Sequence, residues 1–177
     1  MENNFIINDN FLSPQDFETI RNEVTAVEFQ WSFSQHVDHP EEDPTPGQFV
    51  HTAYYGSVPC SDFYNRLAPI LEHKLDCCCL YRIKLNLQPR LPEPEFSTFH
   101  TDTDHWEASR AAQWTTSIFY VNTCNGYTEL ENGQKIESVE NRLVSFPSNI
   151  EHRGVTQTDE QTRILINFNY LKGQDNQ

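Results

Sequence analysis

Phe17, Ile20, Val24 and Val27 recur at helical spacing behind Ser13-Pro14-Gln15-Asp16, which reads as a capping residue, a proline at the first helical position and an early acid. The pattern predicts an amphipathic helix over 13–28. A second helix is expected over 60–75, where Phe63, Leu67, Ile70, Leu71 and Leu75 follow Ser61-Asp62. Between them, residues 36–48 are rich in proline and acid and show no periodicity, so the reading there is an exposed loop that could act as a lid. From residue 80 the period changes to two, predicting short strands over 80–88, 97–100, 113–122, 126–130, 134–138, 141–146 and 161–171. Asn132-Gly133 marks a tight hairpin, and Pro147-Ser148-Asn149 another turn. Short helices followed by many strands indicate an α+β chain with a jelly-roll core. It reads as a single domain over 1–177, with a helical part over about 1–79 and a β core over about 80–171.

Three of these strands carry polar residues on one face. In 161–171, Arg163, Leu165, Asn167 and Asn169 alternate with Ile164, Ile166, Phe168 and Tyr170. In 80–88, Arg82, Lys84, Asn86 and Gln88 alternate with Tyr81, Ile83, Leu85 and Leu87, and in 113–122 Thr116, Ile118, Tyr120 and Asn122 share a face. A single such strand reads as a solvated outer surface. Three together suggest an inward polar face that needs partners.

Composition narrows the possible roles. Twelve Lys and Arg against 26 Asp and Glu give a net charge of −14, which repels phosphate backbones and anionic lipid and argues against nucleic acid or a membrane surface as partner. Hydrophobic residues at 37% and aromatics at 12% indicate a folded chain despite that acidity. No apolar run reaches membrane-spanning length, and Met1-Glu2-Asn3-Asn4 lacks the features of a signal peptide, so the reading places the protein in a cytoplasm. The five cysteines, Cys60, Cys77, Cys78, Cys79 and Cys124, are odd in number and lack zinc-site spacing, and are read as reduced thiols.

Candidate chemistry centres on a His-x-Asp pair, because residues two apart on a strand end project to the same side and can converge on one ion. Two His and one carboxylate on one face of a metal are the ligands that suit non-haem Fe(II). The chain has two such pairs. His36-Val37-Asp38 lies in the acidic loop and reads as surface, whereas His100-Thr101-Asp102 follows a predicted strand. His152, beyond four intervening strands, is placed to return to the same rim. Asp104 and His105 stand close enough to replace a member of this set, and Trp106 to flank an entrance. Arg163 on the inward face has no obvious protein acid to pair with, which makes a ligand carboxylate its candidate partner.

From Arg82 to Tyr170 the chain resembles the Fe(II)- and 2-oxoglutarate-dependent oxygenases with a double-stranded β-helix core, particularly the prolyl 4-hydroxylase-like branch and its phage-encoded members. The likeness rests on the ordered set Arg82-Ile83-Lys84-Leu85-Asn86, His100-Thr101-Asp102, Ile118-Phe119-Tyr120-Val121-Asn122, Asn125-Gly126-Tyr127-Thr128-Glu129, Asn141 to Pro147, His152-Arg153-Gly154, Arg163 and Asn167 to Tyr170. The resemblance implies a cupin-like jelly roll with N-terminal helices packed on it, and an iron triad of His100, Asp102 and His152. It also implies Arg163 on the distal carboxylate of 2-oxoglutarate, with Tyr120 assisting. Asn86, Thr116, Ile118, Asn167 and Asn169 are expected as pocket linings. Gln88 departs from the pattern, standing where that branch has a tyrosine.

The implied activity is hydroxylation of a C–H bond with O2, Fe(II) and 2-oxoglutarate, releasing succinate and CO2, with ascorbate as an accessory reductant and, if phage-encoded, in the host cytoplasm. A prolyl or other peptidyl residue is the first substrate reading, and the acidic residues of 36–48 with Glu93 and Glu95 would favour neutral or basic peptides. A free amino acid or small metabolite is the second. A non-catalytic cupin-like metal binder, or a hydrolytic zinc site, is the rival from another class. Oligomeric state is not legible.

Overall fold

The structure, a computed structural model, describes residues 5–37 and 46–173. Asp38 and most of the expected 36–48 loop therefore lie outside the described residues. The elements in chain order are β1 (Ile6–Asn8), α1 (Pro14–Val24), β2 (Ser32–Ser34), β3 (Gln48–Tyr55), β4 (Val58–Pro59), α2 (Tyr64–His73), β5 (Cys77–Pro89), α3 (Ala108–Ala111), β6 (Thr115–Tyr120), β7 (Tyr127–Leu130), β8 (Lys135–Glu137), β9 (Arg142–Pro147), β10 (His152–Val155) and β11 (Thr162–Lys172).

Helix α1 starts where its sequence says. The Ser13 hydroxyl accepts from the Asp16 amide at 3.2 Å, with Pro14 at the first turn. It stops at Val24, short of the expected 28, because the Thr25 hydroxyl turns back onto the Arg21 carbonyl at 2.7 Å. Val27, counted above on the apolar face, is 98% exposed. The expected helical part over about 1–79 needs correction, since β1 to β4 lie within it and β5 begins at Cys77. Residues 97–100 form no named strand. They are held to β10 by the bridges Phe96 to Val155 and His100 to His152.

An antiparallel sheet runs β1-β9-β6-β11-β5-β3-β2, with β4 on β3, and a smaller sheet runs β10-β7-β8. Alternation along the large sheet feeds two separate cores. Ile83 and Leu85 of β5 and Ile164, Ile166, Phe168 and Tyr170 of β11 face outward under Phe17, Ile20, Leu67 and Leu71 of the helices. Ile118, Tyr120, Val144 and Leu165 face inward against Leu130 and Ile136 of the small sheet. Two sheets facing each other, with helices behind the larger one, leave the space between the sheets as the place for a site. Gly133, at φ +82, makes the tight β7–β8 turn that Asn132-Gly133 predicts. All five cysteines are free thiols.

Candidate metal and carboxylate site

His100, Asp102 and His152 each offer a ligand atom, and these atoms lie within 4.8 Å of one another. The three come from the strand-like bridge at His100, the turn beyond it and the start of β10, so the bridge between His100 and His152 sets two ligands side by side. Their ring centroids are 4.9 Å apart. His100 Nδ1 is 3.1 Å from the Thr98 carbonyl and His152 Nδ1 is 3.4 Å from the Ile150 carbonyl. With Nδ1–H directed at those carbonyls, each ring turns Nε2 to the cluster, the arrangement a metal-ligating imidazole needs.

Asp102 is held at both oxygens. Oδ1 pairs with the Arg82 guanidinium, while Oδ2 accepts from Asn167 Nδ2 at 2.8 Å and Asn169 Nδ2 at 2.9 Å. Arg82 also donates to Asn169 Oδ1 at 3.0 Å, and the two residues are opposed in the β5–β11 ladder. Burial pushes the Asp102 carboxyl up, but the Arg82 guanidinium, the two imidazoles and the Asn169 amide outweigh it and hold the group below the usual carboxylate range. Burial likewise drives the His152 imidazole down to about 4, against the opposing pull of Asp102. A buried carboxylate and the neutral His152 imidazole beside it suit a divalent cation.

A pocket runs from this cluster along the inward faces of β5 and β11 to Arg163, four residues and about 13 Å of strand before Asn167. Asn86, Ile118 and Asn167 line it, and the buried Asn86 Oδ1 has no hydrogen-bond partner. Arg163 is 1% exposed. Its guanidinium donates to Ser138 Oγ at 2.8 Å, Gln88 Oε1 at 3.1 Å and Thr128 Oγ1 at 3.1 Å, all neutral oxygens. Among the described residues no carboxylate pairs with it, and burial lowers its pKa. Tyr120 stands behind the pocket wall: its hydroxyl donates to Thr128 Oγ1 at 2.8 Å, and its ring lies 5.7 Å from the Arg163 guanidinium carbon.

No protein-family model matches the sequence, and no curated protein does. Solved structures do match. A prolyl hydroxylase from Trichoplax adhaerens, in complex with a peptide of the hypoxia-inducible factor oxygen degradation domain, aligns at a TM-score of 0.67 and 17% identity, over 96% of this chain and 84% of that one. A prolyl-4-hydroxylase from Pseudomonas putida aligns at 0.60 and 14%, over 96% and 93%. The epimerase SnoN of nogalamycin biosynthesis, in complex with Fe3+, α-ketoglutarate and nogalamycin RO, aligns at 0.65 and 7%, over 96% and 79%. The fold is that of the 2-oxoglutarate/Fe(II) oxygenases. On this double-stranded β-helix the His100, Asp102 and His152 cluster sits between the sheets and Arg163 further along the same pocket.

Asp104 and His105, the alternatives to the triad, belong to its rim. His105 Nε2 is paired with the Tyr81 hydroxyl at 3.1 Å, and Trp106 packs against Tyr81 at a tilt, with centroids 4.7 Å apart. Tyr81, Asp104 and His105, with Tyr55 and Lys84, line a second hollow that shares His100 and Asp102 with the first. Sequence reasoning placed Arg82 on the polar face without a role and did not single out Thr128 or Ser138. The alternation in β5 was the available signal for Arg82. Thr128 and Ser138 lie on and beside the small sheet, whose approach to Arg163 is a tertiary fact.

Proposed function

We propose that this chain is an Fe(II)- and 2-oxoglutarate-dependent dioxygenase that hydroxylates a C–H bond of a prolyl or other peptidyl residue. The observation that carries the reading is Arg163, a buried guanidinium with no counter-charge among the described residues, in the same pocket as a His-Asp-His cluster. An uncompensated buried cation is costly, and a ligand carboxylate removes that cost. The pocket thus offers a metal-ligating group at one part and an anion-binding group at another, which suits 2-oxoglutarate. In this reading His100, Asp102 and His152 hold Fe(II), and Arg163 takes the far carboxylate of the co-substrate.

When bound, Fe(II) with 2-oxoglutarate and O2 supplies oxidative decarboxylation coupled to hydroxylation, giving succinate and CO2. The residues of the chain fix the geometry for it. Arg82, Asn167 and Asn169 orient Asp102 and keep it ionised. Ile118 and Leu165 keep the pocket wall apolar between its polar ends. Tyr55, Tyr81 and His105 wall the hollow on the other side of the triad, where a substrate side chain would approach.

Similarity in fold to prolyl hydroxylases, one of them holding a peptide, supports the peptidyl reading. The comparable alignment with an epimerase holding a small molecule supports a second reading, a free metabolite as substrate. The test shared by both is anaerobic titration with Fe(II) and then 2-oxoglutarate, following the visible charge-transfer band of the chelate. The expected result is a band that is lost in His152→Ala and needs far more 2-oxoglutarate in Arg163→Ala. Iron binding without a band would refute the proposal and leave a jelly-roll metal binder.

A further inference from the structure

Gln88 and Arg163 are directly opposed in the β5–β11 ladder, so their side chains leave the sheet on the same face. Arg163 NH1 donates to the Gln88 side chain at 3.1 Å. An oxygen must accept there, and this fixes which way the amide points. Gln88 is 5% exposed and lines the pocket, yet its Nε2 meets no acceptor among the described residues. Opposite it, Gly154 lines the pocket with no side chain, and a Cβ added there would stand 3.6 Å from both Arg163 NH1 and Gln88 Nε2. The void left at Gly154 is therefore bordered by two nitrogen donors.

A third donor adjoins them. Thr128 Oγ1 accepts from the Tyr120 hydroxyl at 2.8 Å and from Arg163 NH2 at 3.1 Å. Both acceptor positions of that hydroxyl are taken, which leaves its own proton to donate, on a residue that lines the same pocket. Three of the five Arg163 N–H groups are spent on protein oxygens. A carboxylate can accept about four hydrogen bonds, more than the two remaining N–H groups supply.

We infer that Gln88, with Thr128, completes an anion seat opened by Gly154, and that its amide nitrogen reads the far carboxylate of a dicarboxylic 2-oxo acid. Gln88 is thus a specificity-determining residue for the co-substrate, an inference that rests on the function proposed above. The neutrality of the amide is essential to this role. A glutamate at 88 would pair with Arg163, cancel its charge and turn acceptor oxygens toward the seat.

The experiment is calorimetric titration of the Mn(II)-loaded full chain with 2-oxoglutarate and with 2-oxovalerate, which keeps the oxo-acid end and lacks the second carboxylate. Wild type is expected to prefer 2-oxoglutarate by about tenfold or more. Gln88→Glu loses about tenfold or more in 2-oxoglutarate affinity, with Mn(II) and 2-oxovalerate binding unchanged. Gln88→Leu, which removes the amide without adding charge, loses about threefold to tenfold. Gly154→Ala adds a Cβ at ordinary contact distance, so it keeps Mn(II) binding and loses 2-oxoglutarate. If Gln88→Glu fails to bind Mn(II), the other two variants decide. A wild type that discriminates, with variants that discriminate equally well, overturns the inference alone. A wild type that binds Mn(II) and does not distinguish the two acids overturns the inference together with the functional reading.

Discussion

Two arginines on neighbouring strands meet opposite fates in this site. Arg82 is charge-paired with Asp102, whereas among the described residues Arg163 donates to hydroxyl and amide oxygens and to no carboxylate. Removing Arg82 leaves the buried carboxylate without its cation and loosens its orientation. Arg82→Met is expected to weaken Mn(II) binding about 10–100-fold, as measured by calorimetry. Arg163→Met removes a buried charge that no acid compensates among the described residues. Its apo-protein is expected to be at least as stable as wild type, within about 1 kcal/mol, while 2-oxoglutarate binding is lost. A clear drop in unfolding free energy would show that Arg163 serves the fold rather than a ligand.

At the level of elements, the site depends on how closely the small sheet and its connections approach β11. Gly126, just before β7, is one such approach: a Cβ there would lie 2.9 Å from Arg163 Cδ and 2.9 Å from the Val155 carbonyl. The flexible Arg163 stem can give way but the β10 backbone cannot, so Gly126→Ala is expected to destabilise the fold by about 1–3 kcal/mol and to displace the guanidinium. Denaturant melts and 2-oxoglutarate titration together check it. The long strands β5 and β11 were legible because alternation persists through them. Strand β3 was not, since its residues follow a proline-rich acidic stretch. The short β10 was missed because, unlike the equally short β7 with its Asn132-Gly133 turn, it has no hairpin signal joining it to its partner strand.

For the whole molecule, burial of His152 makes stability depend on pH. In the folded chain its imidazole stays neutral down to about 4, whereas in the unfolded chain it takes a proton near an ordinary value of about 6.5. Between those values the unfolded state binds more protons, so stability falls as pH falls. This group contributes up to about 3 kcal/mol to that loss. The metal-free protein is expected to weaken from pH 7 to pH 4.5, and His152→Gln to remove most of the slope. An identical slope in the variant would contradict the buried, neutral imidazole. Membrane insertion by a helix has no candidate, since among the described residues no helix is long and apolar enough to span a bilayer.

The order of residues along the chain determined the β core and its inward polar face and offered His100, Asp102, His152 and Arg163 as candidates for one site, because strand alternation and turn chemistry are local and survive in one dimension. Three matters were left to the tertiary structure. They are the pairing of Arg82 and Asn169 around Asp102, the opposition of Gln88 and Arg163, and the joining of β3 to β5. Each depends on strand register between segments far apart in sequence. A shift of one residue turns every side chain to the opposite face, and alternation alone does not say which residues of two distant strands stand opposite each other.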